Sequence, residues 1–378
     1  MEMKQVWEIT NASVQEVLGE SAVVNEDLSQ IVDVGTAIFN ANAFDAYVKS
    51  LINHIGKVIF VNRPYSGSAP SVLMDGWEYG SILEKISSEL PVASENPSWE
   101  LVDGQSYDPH IFYQPKATAK FFNKRTTFEI DRSITEMQVK QSFSSAEQLN
   151  GFISMLLNET EKALTVRNDL LIMRTINNMI LETANSGAPT RYVNLLAGYN
   201  QQFGQTLSPA EAITEPAFVR YAAFTISLFS DRLTRISTLF NDGGAQRFTP
   251  RDLQKIVYLS EFARAADVYL QSDVFHDQYT ALSQGETVPY WQGSGTDYAF
   301  ASTGKILGTL ASDGTTEQTV NGVLAVLFDR DALGVCNYNR RVTTQWNAKA
   351  EFTNYFYKQD AGYFNDLNEN FVVFYAAQ

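Results

Sequence analysis

The stretch SSAEQLNGFISMLLNETEKALTVRNDLLIMRTINNMILETAN, residues Ser144 to Asn185, places apolar side chains at three- and four-residue steps along its whole length. Leu149, Phe152, Ile153, Leu156 and Leu157 lead, and Leu170, Leu171, Ile176, Met179 and Ile180 continue the stripe. That spacing predicts one helix. Ser144 and Glu147 offer a capping box at its start, and Gly187 with Pro189 supplies the stop, because glycine accepts the left-handed cap and proline cannot continue. At 1.5 Å per residue the rod is about 60 Å long, well beyond the usual three or four turns of a globular helix. Gly151 costs the first turns up to about 1 kcal/mol relative to alanine. A strut of this length suits a plate-like assembly subunit better than an enzyme built around one cleft.

The segment before the rod reads very differently. Within the first fifty residues, short apolar clusters alternate with acidic groups, and only Phe44, Tyr47, Val48, Leu51 and Ile52 keep helical spacing. The part before them is compatible either with an arm lying on another surface or with an ordinary N-terminal helical region. Lys57 to Val61 is a strand candidate ended by Asn62-Arg63-Pro64. From Ser87 to Pro115 the chain carries Pro91, Pro97, Pro109 and Pro115 together with Trp99, Tyr107, Phe112 and Tyr113. Proline removes backbone donors and blocks ladders, yet the rings need a packing partner. A long excursion of this kind is unusual inside a compact domain, and docking on a neighbouring chain would supply the partner. The returning segment, Ala117 to Phe121 and then Thr127 to Asp131, alternates as a strand, so the expectation is a long β-hairpin arm. Phe121, Phe122 and Phe128 read as packing residues, since no basic stripe accompanies them for nucleic acid.

Beyond the rod, a polar loop containing Tyr192, Tyr199, Phe203 and Pro209 is expected to precede a helix over Glu215 to Phe240. Lys255 to Leu259 reads as a strand and Glu261 to Tyr269 as a helix. Gln284 to Gln318 is rich in glycine and loop-like. Val323 to Phe328 is the strongest buried-strand candidate, a short helix or turn follows at Asp331 to Gly334, and Phe371 to Tyr375 forms a last strand. Two β-rich regions with helices between them imply an α+β architecture.

Composition narrows the function classes. With 43 acidic against 28 basic residues the formal net charge is -15, which is unsuited to coating nucleic acid. Cys336 is the only cysteine, so an intrachain disulfide or thiolate cage is impossible, and it reads as a packed hydrophobe. No window approaches the roughly 20 apolar residues of a membrane span, and the N-terminal residues show no signal-segment pattern. His54, His110 and His276 are dispersed, and no zinc helix, nucleophile elbow or dinucleotide fingerprint is present. Around Gly304-Lys305 the phosphate-loop pattern fails at Ala299 and Ile306. The sequence therefore names no catalytic, cofactor-binding or metal residue. Arg340 and Arg341 read as solvent-exposed charges.

The order of elements resembles the major capsid protein family of tailed double-stranded DNA bacteriophages, the Hong Kong phage capsid fold shared with encapsulins. The likeness is carried by Phe128-Glu129-Ile130-Asp131-Arg132 leading into the rod, and by Val323 to Gly334. It implies an N-terminal arm and helix over 1–55, an extended hairpin loop over 56–132 and a peripheral domain with its spine helix over 133–190. An axial domain would follow over 191–320, with return strands and the C-terminal part of the peripheral and axial core over 321–378. The implied function is structural: hexamers and pentamers closing an icosahedral shell around double-stranded DNA held without sequence-specific binding. Scaffolding protein and portal would be partners, with no membrane and no cofactor, and the chain would be made in the host bacterial cytoplasm. By the same resemblance Trp77, Trp99, Phe112 and Tyr113 are the candidate inter-subunit contacts. Some relatives link lysine to asparagine between subunits, but Lys85 has no asparagine assigned to it and no link is expected. An encapsulin-like shell holding protein cargo, or an enzyme or other phage component with a site among loops near Asp297 and Asp313, are the alternatives.

Overall fold

The computed structural model describes residues 3–19, 24–25, 31–40, 43, 46–47, 50, 69–74, 83–91, 93–135, 146–271, 282–292 and 300–378. Trp77, Lys57 to Val61, His54, His276, Asp297 and the Ser144 cap lie outside these residues. The chain divides into two compact units: residues 1–78, 125–172 and 335–362 form the first, and 79–124, 173–334 and 363–378 the second.

In the first unit, helices α1 (Met3–Leu18) and α2 (Ile31–Asn40) occupy a region that the sequence suggested could be an arm. Local polar contacts fix it: Trp7 Nε1 donates to the Val24 carbonyl at 2.7 Å, and the Val24 N–H donates to Asn11 Oδ1 at 3.0 Å. The second-unit strands β1 (Leu83–Ser88) and β2 (Ala117–Phe122) come next in the chain, followed by β3 (Arg125–Thr135). The expected hairpin ran on through Thr127 to Asp131, but β3 instead pairs antiparallel with a much later strand. Cross-strand chemistry explains the choice. Lys358 faces Glu129 at 3.1 Å, Thr127 donates to Asp360 at 2.7 Å, and Ser133 donates to Asn354 at 2.6 Å. The first unit's three-stranded sheet runs β10-β11-β3, with β10 spanning Leu333–Asn347 and β11 Phe352–Asn365. Arg341 is exposed, as expected, and pairs within its own sheet by donating to Asp360 at 2.5 Å, while the half-buried Arg340 donates to Gln359 at 3.1 Å. Cys336 is buried in β10.

The rod is α3 (Ala146–Ser186), a single helix of 41 residues. It ends on Gly187, which adopts φ 63° and donates to the Ala184 carbonyl at 3.1 Å, as the glycine predicts.

The second unit is organised by β9 (Val323–Asp329), whose seven residues are all buried. Its neighbours in the five-stranded sheet β4-β12-β9-β5-β6 are β5 (Gln254–Leu259) and β12 (Phe371–Tyr375), both antiparallel, while β4 (Tyr192–Asn194) and β6 (Glu286–Val288) add parallel edges. Helices α4 (Leu195–Phe203), α5 (Pro209–Thr214), α6 (Pro216–Leu233) and α7 (Ser260–Gln271) surround this core. Phe218, Ile226 and Phe262 join Leu324, Leu327 and Phe374 in one apolar cluster. The Phe229 and Phe374 rings meet edge-on at 5.4 Å. The short α8 (Phe300–Thr303) and the ribbon of β7 (Ile306–Thr309) with β8 (Glu317–Val320) complete it.

Three differences from the sequence reading have local causes. The expected loop at Tyr192 to Pro209 contains α4, capped by Asn194 accepting from the Ala197 N–H and closed by Gly204 at φ 64°. The helix expected to reach Phe240 stops at Leu233, and Ser237 turns back to pair with Arg247. The expected turn at Asp331 to Gly334 is present at Asp331–Ala332 but is shorter than expected, because the long strand β10 already begins at Leu333 and is followed by β11.

Gly322 opens β9 at φ 69°, and a Cβ there would sit 2.0 Å from the Ala376 carbonyl oxygen. Gly322→Ala is expected to destabilise the chain by about 2–4 kcal/mol, combining backbone strain with overpacking, and to lower the thermal midpoint measured by circular dichroism. An unchanged midpoint would contradict this account of the β9 entry.

Candidate assembly interface

Strands β1 and β2 form a two-stranded stem with Lys85 directly opposite Lys120 and Ile86 opposite Ala119. Beyond them the chain makes an excursion from Glu89 to Lys116, in which every described residue is exposed. The Glu89 N–H donates to the Lys116 carbonyl at 2.9 Å and closes its base. Inside it the bonds are local. Asn96 accepts from the Ser98 N–H at 2.9 Å and sets the 3-10 turn Pro97–Trp99, and Asp108 accepts from the His110 N–H at 2.8 Å. Four prolines keep the backbone from laddering further.

The excursion carries its apolar groups outward. Trp99 is 96% exposed, Phe112 84% and Tyr113 79%, and Leu101, Val102 and Ile111 are exposed beside them. These three of the four sequence candidates thus share one solvent-facing arm. Contiguous exposed apolar surface on a soluble chain marks an interaction site. The arm is also acidic, with Glu89, Glu95, Glu100, Asp103 and Asp108 against Lys116.

The stem has an inverted arrangement. Its outer face holds Ile86, 71% exposed, and Phe121, 63% exposed, while its lysines turn toward the core. Phe121 is therefore not the packing residue expected of it, although Phe122 is, with its ring 5.2 Å from Phe364. The Lys85 ammonium makes three bonds: to Asp366 Oδ2 at 2.8 Å, Glu369 Oε1 at 3.1 Å and the Asp331 carbonyl at 2.9 Å. All its protons are thereby used. Lys120 reaches Asp366 Oδ1 at 3.1 Å, and Arg247 reaches Glu369 Oε2 at 3.3 Å. The Asn368 N–H adds a bond to Asp366 at 3.1 Å.

Burial pushes the Asp366 carboxyl up, but the Lys85 hydrogen bond and charge, the Asn368 N–H and Lys120 outweigh it and hold the group below its ordinary 3.8. At Glu369 burial dominates, the cations Lys85 and Arg247 only partly offset it, Asp329 adds repulsion, and the carboxyl is raised. For Lys85 burial acts downward, yet its bonds to Asp366 and Glu369 prevail and keep it protonated.

Sequence reasoning missed this cluster because Lys85 and Asp366 lie 281 positions apart. The only hint was the alternation of Leu83-Glu84-Lys85-Ile86, which places lysine on the face of leucine. Among the described residues no group of histidine, cysteine, aspartate and glutamate could hold a metal, and no helix is long and apolar enough to cross a membrane. Asp313, named for the enzyme alternative, accepts from the Thr315 and Thr316 N–H groups of its own turn.

A family model described as Phi29-like phage major capsid protein matches residues 10–375. Among solved structures, the chain is similar to one described as the capsid structure of Staphylococcus phage Andhra, with 10% identity, a TM-score of 0.53, and 84% of this chain and 86% of that chain covered. Weaker likenesses include the structure of head fiber and inner core protein gp22 of native bacteriophage P68, at 9% identity, TM-score 0.47, and 83% and 86% coverage. The capsid structure of the Cyanophage P-SCSP1u is similar at 10% identity, TM-score 0.47, and 82% and 87% coverage. No curated protein matches. The Andhra likeness bears on the fold.

Because the folded pKa of Asp366 is depressed, its contribution is present above 3.8 and lost as pH falls through the lower folded value. Asp366→Asn is expected to cost about 2–4 kcal/mol at neutral pH. Calorimetry of both proteins across pH should show that difference shrinking below pH 3.8; a difference constant down to strong acid would contradict the ion-pair account.

Proposed function

The chain belongs to the Phi29-like phage major capsid protein family and is a structural subunit of a bacteriophage virion capsid, and from that premise we propose how it assembles. Copies close an icosahedral shell as hexamers and pentamers, with the arm of each subunit packing through Trp99, Phe112 and Tyr113 on a neighbouring copy. Trp77 belongs to the same contact set. The observation supporting this reading is the arm itself, an excursion whose Trp99, Phe112 and Tyr113 rings all face solvent. A contact in which one surface grips a different surface of the next copy can run round a ring and close it.

Under this reading residues 1–55 are the N-terminal arm and helix, 56–132 the extended loop, 133–190 the peripheral region with its spine helix, 191–320 the axial region and 321–378 the returning core. Double-stranded DNA is the cargo, held by containment rather than by a cationic wall, which agrees with a net charge of -15. A scaffolding protein and a portal complete the assembly partners.

The test replaces Trp99, Phe112 and Tyr113 together by alanine. Buried aromatic anchors cost about 2 kcal/mol or more each on truncation. The concentration threshold for particle formation, read by sedimentation and electron microscopy, should therefore rise by at least about tenfold, while circular dichroism of the subunit stays unchanged. Assembly at the parental threshold would reject the contact reading.

A further inference from the structure

A two-stranded ribbon standing alone is marginal in water, and like charges placed directly opposite each other weaken it further. The stem has both handicaps, since Lys85 faces Lys120 across β1 and β2. Each lysine takes one oxygen of the same carboxylate: Lys85 binds Asp366 Oδ2 at 2.8 Å and Lys120 binds Asp366 Oδ1 at 3.1 Å. The Asp366 side chain is only 3% exposed and Lys85 23%, so solvent and salt screen that bond weakly, while Lys120, 40% exposed, makes the more screened of the two.

We propose that the turn Asp366–Glu369 is a charge latch that fixes the direction in which the arm leaves the core, with Asp366 the shared counter-ion that makes the facing lysines compatible. The geometry works as a two-point mount. One strand is pinned through Lys85 and the other through Lys120, so the ribbon cannot roll about its long axis without breaking one of the two bonds. Glu369 takes the third direction: it binds Lys85 at 3.1 Å and is itself held by Arg247 at 3.3 Å. Phe122 against Phe364 adds an apolar contact on the same face. The outer face, Ile86 with Phe121, is thereby kept outward and available.

The latch is a positioning device. It rests on the assembly reading for its consequence, because an arm presented in one direction loses less freedom when it docks. As the pH falls, Glu369, raised by burial, takes up a proton before Asp366, whose carboxyl is held below its ordinary range by Lys85, so the Asp366 bonds are the last of the latch to be lost.

The experiment uses the full-length chain kept unassembled at low concentration. Nitroxide labels go on Asp103→Cys in the arm and Ser227→Cys on the exposed side of α6, while Cys336 is buried in β10. Pulsed dipolar spectroscopy reads the distance between them. The parent chain should give one narrow distribution. Asp366→Asn, which retains an acceptor for the Asn368 N–H, should lose that narrow peak, and adding Lys120→Met should partly restore it by removing one of the two facing charges. Lys120→Met alone, at the more exposed of the two lysines, should broaden the peak slightly with the core's near-ultraviolet dichroism intact, and guards against an unfolded Asp366 variant. Distributions unchanged in both single variants overturn the latch. That result would leave the alanine test of Trp99, Phe112 and Tyr113 standing, and normal assembly in the alanine test would leave the distances standing.

Discussion

A strand buried on both faces exists only if neighbouring strands supply its hydrogen bonds, and β9 is such a strand, with all seven residues out of solvent. One partner, β12, arrives from the last residues of the chain through the turn at Asp366–Asn370. That turn works in two directions. Asn370 donates to Thr249 at 3.1 Å, and Thr249 donates to Asp329, the final residue of β9, at 2.6 Å. Asp366 and Glu369 point instead to the stem lysines. Five consecutive residues thus join the closing of the core sheet to the mounting of the arm.

The stem gives up the ordinary arrangement of a ribbon to achieve this. A solvent-exposed hairpin normally turns its charges outward and its apolar side inward. Here Ile86 and Phe121 lie in water and two ammonium groups lie against the core. Buried charge is costly unless paired and hydrogen-bonded, and Lys85 meets both conditions with three acceptors. The outer face, Ile86 and Phe121, stays open to solvent in the single chain; under the proposed assembly a neighbouring copy would cover it.

Legibility in the sequence followed the range of the interactions. The α3 rod, its Gly187 stop and the buried β9 strand were visible because periodicity, a positive-φ glycine and an uninterrupted apolar run are local signals. The arm was legible for the opposite reason, as a stretch whose prolines and rings contradicted every regular element. What escaped were pairings over long separations. The β10 and β11 strands are polar at many positions, Asn-Arg-Arg in one and Lys-Gln-Asp in the other, and only side-by-side placement turns Arg341 and Asp360 into partners. β3 was read correctly as a strand and assigned to the wrong neighbour for the same reason. The α4 helix does not stand out although its Asn194 cap and Gly204 stop are local, since its polar, glycine-punctuated composition reads as a loop.

Charge acts on two scales in this subunit, with opposite effects. At short range and out of water, Asp366 and Glu369 hold the arm's base through bonds that salt barely reaches. At longer range the chain carries a net charge of -15 and the arm itself is acidic, so the overall field between copies is repulsive within the screening length of the solution. In the proposed docking the net charge offers no attraction between copies, so the attraction is assigned to the exposed apolar surface of Trp99, Phe112 and Tyr113, which acts only at contact. An arm whose attraction is felt only at contact gains most from being aimed beforehand. Under the proposed assembly the latch and the acidity of the arm act together: net repulsion keeps unassembled copies apart, and a fixed direction lets the rings engage once surfaces are brought together.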